Sequence, residues 1–422
     1  MGRMGQKGRR SAWGALLATA VVTTGVLSGV PASGAVATCD GQPATVVGTS
    51  GDDVLTGTKG PDVIAGLSGD DRIDGLGGAD LICGGDGADV IAGGSGDDRI
   101  YGGRDRLDHN AAGSFLVGDV LDGGSGDDWL NPSYDSRSVS FRQQPDTFSY
   151  ADAPAGVVVD LRASSAAPGA GTATGDGTDT LVLGGQMRVV GSPYADTITG
   201  SAGPDEVVGG AGADLISTGD GNDHVFPDQE AVTSDDPGND VVKTGRGRDF
   251  VSVLAGRDQI STGDDNDRVE ALSPEPTQVR LGDGDDYLGQ SLVPGRATSM
   301  DGGPGTDLLM LYAGPYAQSD PVPRLMVDAA AGTVTTPDGG GTMTGFETYR
   351  LAGAVPWRFD GSAAAESVWV IDGGGLNAGM GPGDDRVIGS PLDDRINGGA
   401  GRDTVDGREG TNTCRNVEAG DC

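Results

Sequence analysis

From Gly48 to Tyr101 the chain divides without remainder into six nine-residue units: GTSGDDVLT, GTKGPDVIA, GLSGDDRID, GLGGADLIC, GGDGADVIA and GGSGDDRIY. Positions one and four are always Gly, position six is Asp53, Asp62, Asp71, Asp80, Asp89 and Asp98, and position eight is Leu55, Ile64, Ile73, Ile82, Ile91 and Ile100. Glycine enters left-handed backbone at little steric cost, so positions one and four mark a tight bend. One apolar residue in nine is too few for an amphipathic helix, which wants about three in seven, but it suits a three-residue strand with its middle side chain inward. The spacing therefore excludes helix and predicts a solenoid. Two units make one coil, with Leu/Ile columns on opposite walls meeting in a thin core, and each coil contacts only its neighbours.

Such a core is weak alone, and the bends supply what could reinforce it. Calcium is a hard cation that takes six to eight oxygen ligands from carboxylates and backbone carbonyls. Nonapeptides of the form G-G-x-G-x-D-x-U-x are calcium-binding β-helix units. On these residues the chain resembles the RTX, or haemolysin-type, calcium-binding repeat proteins, a secreted bacterial type. The resemblance implies an all-β, right-handed parallel β-roll or β-helix solenoid. It also implies that aspartates eighteen residues apart, such as Asp53 with Asp71 or Asp62 with Asp80, share one Ca2+ between coils, with bend carbonyls as the other ligands.

In chain order, residues 1–37 have the build of a secretory signal: Arg3, Lys7, Arg9 and Arg10, an apolar run from Ala12 to Val30, then Ala35-Val36-Ala37. An uncleaved anchor is the competing reading, and Arg9-Arg10 lacks the Phe-Leu expected after a twin-arginine pair. No further membrane span is expected. The family normally carries a C-terminal export signal, so an N-terminal one is a departure. Residues 38–131 form the first array; its register lapses after Tyr101, leaves a partial unit around Asp119, and returns in GGSGDDWLN with Asp128. Repeats then disappear over 132–190, where Val157-Val158-Val159-Asp160-Leu161 and Thr180-Leu181-Val182-Leu183 read as strands. Arrays resume over 191–309 with Asp196, Asp205, Asp214 and Asp223, then Asp240, Asp249, Asp258 and Asp267, then isolated units at Asp286 and Asp307. Glycine is lost at several of these bends, as in Val253-Leu254-Ala255-Gly256, which predicts weaker sites.

A second insert, 310–379, echoes the first. Leu325-Met326-Val327-Asp328 followed by Gly332-Thr333-Val334-Thr335 matches VVVDL followed by Gly171-Thr172-Ala173-Thr174. Both inserts read as β-rich continuations of the solenoid without calcium, against two small separate β domains. Residues 380–422 carry Asp385, Asp394 and Asp403, then a degenerate unit with Asn412 and Cys414 that reads as a cap. Of the three pairings open to Cys39, Cys83, Cys414 and Cys422, Cys39–Cys83 and Cys414–Cys422 are expected, because each pair lies at one end of a stack whose ends cannot meet. No C-x-x-C spacing supports a metal site instead.

The net charge of -35 at pH 7 becomes about -39 when the four cations of the leader are removed. This argues against nucleic acid as a partner and for divalent cations. Without cations, a chain of such charge with only 5% aromatic residues resembles a disordered polyelectrolyte, so folding on calcium is expected. Counting eighteen-residue pairs in the arrays gives about nine ions, with affinities in the extracellular range of about 10⁻⁴–10⁻³ M. Gly48–Tyr101 is the expected folding nucleus, and a monomer is expected.

Signatures of catalysis are missing. His109 and His224 are the whole histidine supply; neither H-E-x-x-H nor G-x-S-x-G occurs, and no EF-hand loop has its required glycine. The chain is therefore expected to be no enzyme, with a structural or adhesive role toward a cell surface or extracellular polymer. Two alternatives stand beside this. A polysaccharide-acting enzyme would need a groove of acids and aromatics, for which Tyr150, Trp357 and Trp369 are the only hint, and an ice- or surface-binding face would need a long threonine column.

Overall fold

The computed structural model describes residues 36–110, 113–132, 145–162, 169–228, 238–293, 295–317 and 322–422. The expected leader lies outside these residues except for Val36 and Ala37. Residues Ala37–Cys422 make one unit. Among the described residues it is all-β apart from a helical turn at Gly314–Ala317, and most strands pair in parallel with the strand one coil on.

The nine-residue period sets that pairing. On one wall Val63–Ser68, Leu81–Gly87, Arg99–Asn110 and Trp129–Asn131 stack so that Ile64, Ile82, Ile100 and Leu130 are in register. On the other, Val54–Thr56, Arg72–Asp74, Val90–Ser95 and Val120–Ser125 align Leu55, Ile73, Ile91 and Leu121. Position eight points inward throughout: Ile64 to Ile100, Leu121 and Leu130 are all buried. The central array repeats this with Ile198, Ile216, Val242, Ile260, Val279 and Met300 on one wall and Val207, Val225, Val251, Val269, Leu288 and Leu309 on the other. The last coils align Val368, Val387 and Val405.

The two inserts share one topology. In the first, Thr178–Val182 pairs in parallel with Trp129–Asn131, then antiparallel with Ala170–Thr174, which pairs antiparallel with Val158–Asp160, and that strand meets Thr197–Thr199 in parallel. In the second, Gly339–Thr344, Thr333–Thr336 and Leu325–Asp328 repeat the same three-strand Z between Ser299–Asp301 and the end of Thr348–Asp360. Asp160 faces Thr172 in the first Z and Asp328 faces Thr333 in the second, the residues that the internal echo aligns. The second insert also thickens the core with Tyr349, Trp357 and Phe359, all buried, the Tyr349 and Phe359 rings meeting edge-on at 4.9 Å.

Both disulfides join the expected partners. Cys39 and Cys83 have Cα atoms 5.6 Å apart, and Cys414 and Cys422 5.9 Å. The first ties the Thr38–Cys39 strand to Leu81–Gly87, and the second closes the last described coil. No helix among the described residues is long and apolar enough to cross a membrane.

Candidate calcium sites

Coil stacking brings the position-six aspartates into columns. The backbone N–H of each donates to Oδ1 of the aspartate one coil on, at 2.7–3.0 Å, linking Asp53 to Asp71 to Asp89, and Asp62 to Asp80 to Asp98 to Asp128. The same bond links Asp196, Asp214, Asp240 and Asp258, then Asp205, Asp223, Asp249, Asp267, Asp286 and Asp307, then Asp385 and Asp403. Asp394 donates instead to Asn412.

In most of these units the second oxygen has no such partner. Among the described residues, Oδ2 of Asp71, Asp80, Asp89, Asp98, Asp119, Asp128, Asp214, Asp223, Asp240, Asp249, Asp258, Asp267, Asp286, Asp307, Asp385 and Asp403 is buried and accepts no hydrogen bond, sixteen oxygens at repeat position six. Buried carboxylates are normally paired with a cation or fully hydrogen-bonded, because desolvating an uncompensated charge costs several kcal/mol. Burial, reinforced by stacked like charges, pushes Asp89, Asp98, Asp128, Asp267 and Asp307 up to about 7 and Asp214 and Asp258 up to about 8.

Loop conformation explains the missing partner. In most of these units positions two and four both take left-handed φ, as at Gly94 and Gly96 (107° and 123°) or Gly399 and Gly401 (106° and 148°). Leu67, Leu76 and Asp265 adopt it too, at 83°, 70° and 80°, although a side chain there costs about 1–2 kcal/mol. This open loop turns the position-two N–H away from the carboxylate. Where position one is glycine it leaves room beside the carboxylate, since a Cβ on Gly84 would lie 2.3 Å from Asp89 Oδ2 and 2.6 Å from the Gly102 carbonyl oxygen; Thr218, Thr244, Val253, Thr262, Leu281 and Met380 stand there in six of these units.

Among the described residues, six other units are closed. Thr49, Thr58, Ser192, Ser201, Ser362 and Ser390 occupy position two, and their backbone N–H groups donate at 2.5–2.8 Å to the carboxylates of Asp53, Asp62, Asp196, Asp205, Glu366 and Asp394. None of these six has a left-handed φ at position two. One unit is open but filled. Arg408 and Gly410 take φ of 58° and 100°, and the Asn412 amide donates to the carbonyl oxygens of Gly407 at 2.9 Å and Glu409 at 3.4 Å. An N–H donor thus stands where other units hold an orphan carboxylate oxygen, and it identifies the position-one and position-three carbonyls as facing the site. The donor set is all oxygen, with no His or Cys, which suits a hard divalent cation.

The columns include acids that nonapeptide counting passes over. Asp119, Asp146, Asp179, Glu347 and Glu418 accept the N–H of Asp89, Asp119, Asp128, Asp307 and Asp403. Most share one signal, an acid two residues before an inward apolar side chain. The strongest is Thr174–Val182, TGDGTDTLV, a complete repeat with left-handed Gly175 and Gly177 inside the stretch where repeats were expected to vanish. Tyr150 donates its hydroxyl to Asp179 Oδ2 at 3.0 Å.

Other side chains singled out by sequence fall elsewhere. Tyr150 and Trp357 are core residues, and Trp369 is half-buried beneath Arg350 and Arg408. His224 is exposed on its strand beside Phe250; His109 lies in the Arg99–Asn110 strand of a hairpin, with its side chain outside the described ones. Thr218, Thr244 and Thr262 form a column, but it is buried, each hydroxyl donating to a carbonyl one coil on.

A family model of the RTX calcium-binding nonapeptide repeat, spanning four copies, matches residues 47–82, 84–106, 118–131, 190–225, 235–269 and 381–414. The chain therefore carries RTX calcium-binding repeats in several blocks along its length. Comparison with curated proteins gave no match.

Proposed function

We propose that this chain is a secreted, non-enzymatic calcium-binding scaffold that folds as its open loops fill, and that serves a structural or adhesive role outside the cell. The observation that carries the reading is the set of sixteen buried position-six Oδ2 atoms without a hydrogen-bond donor; where position one is glycine, as at Gly66, Gly84, Gly209 and Gly398, a backbone carbonyl oxygen of the next coil borders the same space. A bound Ca2+ supplies the positive charge these oxygens lack. On this reading each open loop with an orphan oxygen takes one ion, which exceeds the count of about nine obtained by pairing aspartates within arrays. The closed loops of Asp53, Asp62, Asp196, Asp205 and Asp394 are ion-independent starts, where a Ser or Thr bend does the work of the cation.

Energetics favour coupling of binding to folding. One buried Ile or Val stabilises by about 1.5–3 kcal/mol, less than the cost of ordering nine residues at about 1–2 kcal/mol each. Ladder hydrogen bonds offset part of the remainder, and ion binding, which has no preformed site in the unfolded chain, adds directly to folding free energy. Two disulfides fit an oxidising compartment, in keeping with export. Far-UV circular dichroism of the chain without its leader tests the proposal: strand signal should appear on adding calcium and disappear with excess chelator. An unchanged β spectrum under chelation would refute it.

A further inference from the structure

Among the described residues, one loop differs from the others in the acids it gathers. Gly102 and Gly103 open a unit in the usual way, Gly103 with φ of 133°, but position four is Asp105, and an antiparallel hairpin pairing Arg106 with Val117 intervenes before Gly118 and the position-six Asp119. The hairpin thus splits a single repeat loop and leaves its two halves side by side. Carboxylate oxygens of Asp105, Asp119 and Asp146 all lie within 4.8 Å of one another. Asp119 is fully buried and Asp146 nearly so. Asp119 Oδ1 accepts the Asp89 N–H at 2.8 Å, and the Asp119 N–H donates to Asp146 Oδ1 at 2.9 Å, so two of the three acids are fixed by the backbone. Asp119 Oδ2 is buried without a hydrogen-bond partner, 2.2 Å from where a Cβ on Gly102 would stand, with the Pro132 carbonyl oxygen 3.0 Å from that same point.

We propose that Asp105, Asp119 and Asp146 form a three-carboxylate cation site, distinct in charge from the ordinary one-carboxylate loop, that takes Ca2+ first and holds it most tightly. The proposal rests on the reading that open loops take calcium. Affinity for calcium rises with the number of charged ligands and the rigidity of the site, and this site has two extra carboxylates on a backbone already fixed by the Asp89–Asp119–Asp146 ladder. It joins the hairpin to two successive coils, so filling it orders the split loop and presents a formed edge to the coils on either side.

The full chain titrated with Ca2+ against a fluorescent calcium chelator of micromolar affinity tests this. One ion per chain should bind at least about tenfold more tightly than the rest, and Asp105→Asn should remove that class while leaving the weaker ions and the calcium-saturated β spectrum in place. Asp105→Glu, which keeps the charge, should retain the tight ion. If the unmutated chain shows one uniform class of ions, or if Asp105→Asn superimposes on it, the three-carboxylate site is wrong while the repeat loops still bind. If neither chain binds calcium, the reading beneath it fails as well. Should Asp105→Asn fail to fold in saturating calcium, the tight class in the unmutated chain and its retention in Asp105→Glu decide the matter alone.

Discussion

Gly60 and Gly78 both hold position four of the repeat and stack one coil apart, yet alanine should act oppositely at the two. Gly60 belongs to the closed loop of Asp62; a Cβ there meets nothing within 4 Å, and its φ is not left-handed. Gly60→Ala should therefore leave stability unchanged or raise it by about 0.4–1 kcal/mol through the unfolded chain's lost freedom. Gly78 belongs to the open loop of Asp80, with φ of 113°, and its Cβ would lie 2.5 Å from the Gly60 carbonyl carbon and 2.6 Å from the Pro61 nitrogen. Left-handed alanine costs about 1–2 kcal/mol, and those neighbours are backbone atoms that cannot rotate away. If the loop also loses its ion, a further contribution of about 2.7 kcal/mol goes at calcium one hundred times the dissociation constant, for a total of roughly 4–5 kcal/mol. Urea unfolding at fixed saturating calcium, followed by far-UV circular dichroism, reads the difference, with ion content measured in parallel. Equal shifts for the two variants, or a neutral Gly78→Ala with its full ion content, would refute the distinction between open and closed loops.

The same distinction predicts that Asp71→Ala removes calcium from the saturated chain whereas Asp53→Ala, whose carboxylate is held by Thr49, leaves the ion count unchanged; equilibrium dialysis checks both. Asn412→Asp replaces the donor amide with an acceptor and should add about one ion at the C-terminal coil, with loss of strand signal there under chelation; an unchanged count would show that the amide does not stand in for a cation. In the metal-free chain, carboxyls held at about 7–8 in the fold but near 4 when unfolded destabilise the fold as pH rises from about 4 to about 8, and at lower pH both states are protonated and the penalty vanishes. Chelated chain should accordingly show more strand at pH 5 than at pH 8, while calcium affinity falls over the same descent because each ion must displace a proton. A chelated spectrum that loses strand on acidification would contradict this.

Residue type at fixed spacing carried most of the architecture. A single inward side chain per nine residues leaves no choice but short strands, and the parallel register of Ile64, Ile82 and Ile100 follows from the eighteen-residue coil. The echo between VVVDL and LMVD was readable as well, because two copies of one Z need the same alternation; that the Z contains antiparallel strands was not, since strand direction leaves no mark on composition. The sites were legible in part. Counting eighteen residues finds Asp53 with Asp71, but the Asp89–Asp119 and Asp128–Asp179 pairs are separated by 30 and 51 residues because a hairpin and a Z loop out between them. Glu347 and Glu366 escape because a glutamate fills the aspartate's place. Position two was visible as Thr, Thr, Leu, Leu, Gly, Gly over the first six units, yet its meaning lay in backbone φ: Ser and Thr bend back to hold the carboxylate, and left-handed residues release it.

Counting bound ions tests the central claim most directly. Native mass spectrometry of residues 38–422, disulfides intact, in saturating calcium should show a ladder of adducts ending near one Ca2+ per orphan Oδ2, about sixteen, and no strand signal once they are stripped. A chain that keeps its β spectrum with no ions, or that saturates at one or two, would contradict it.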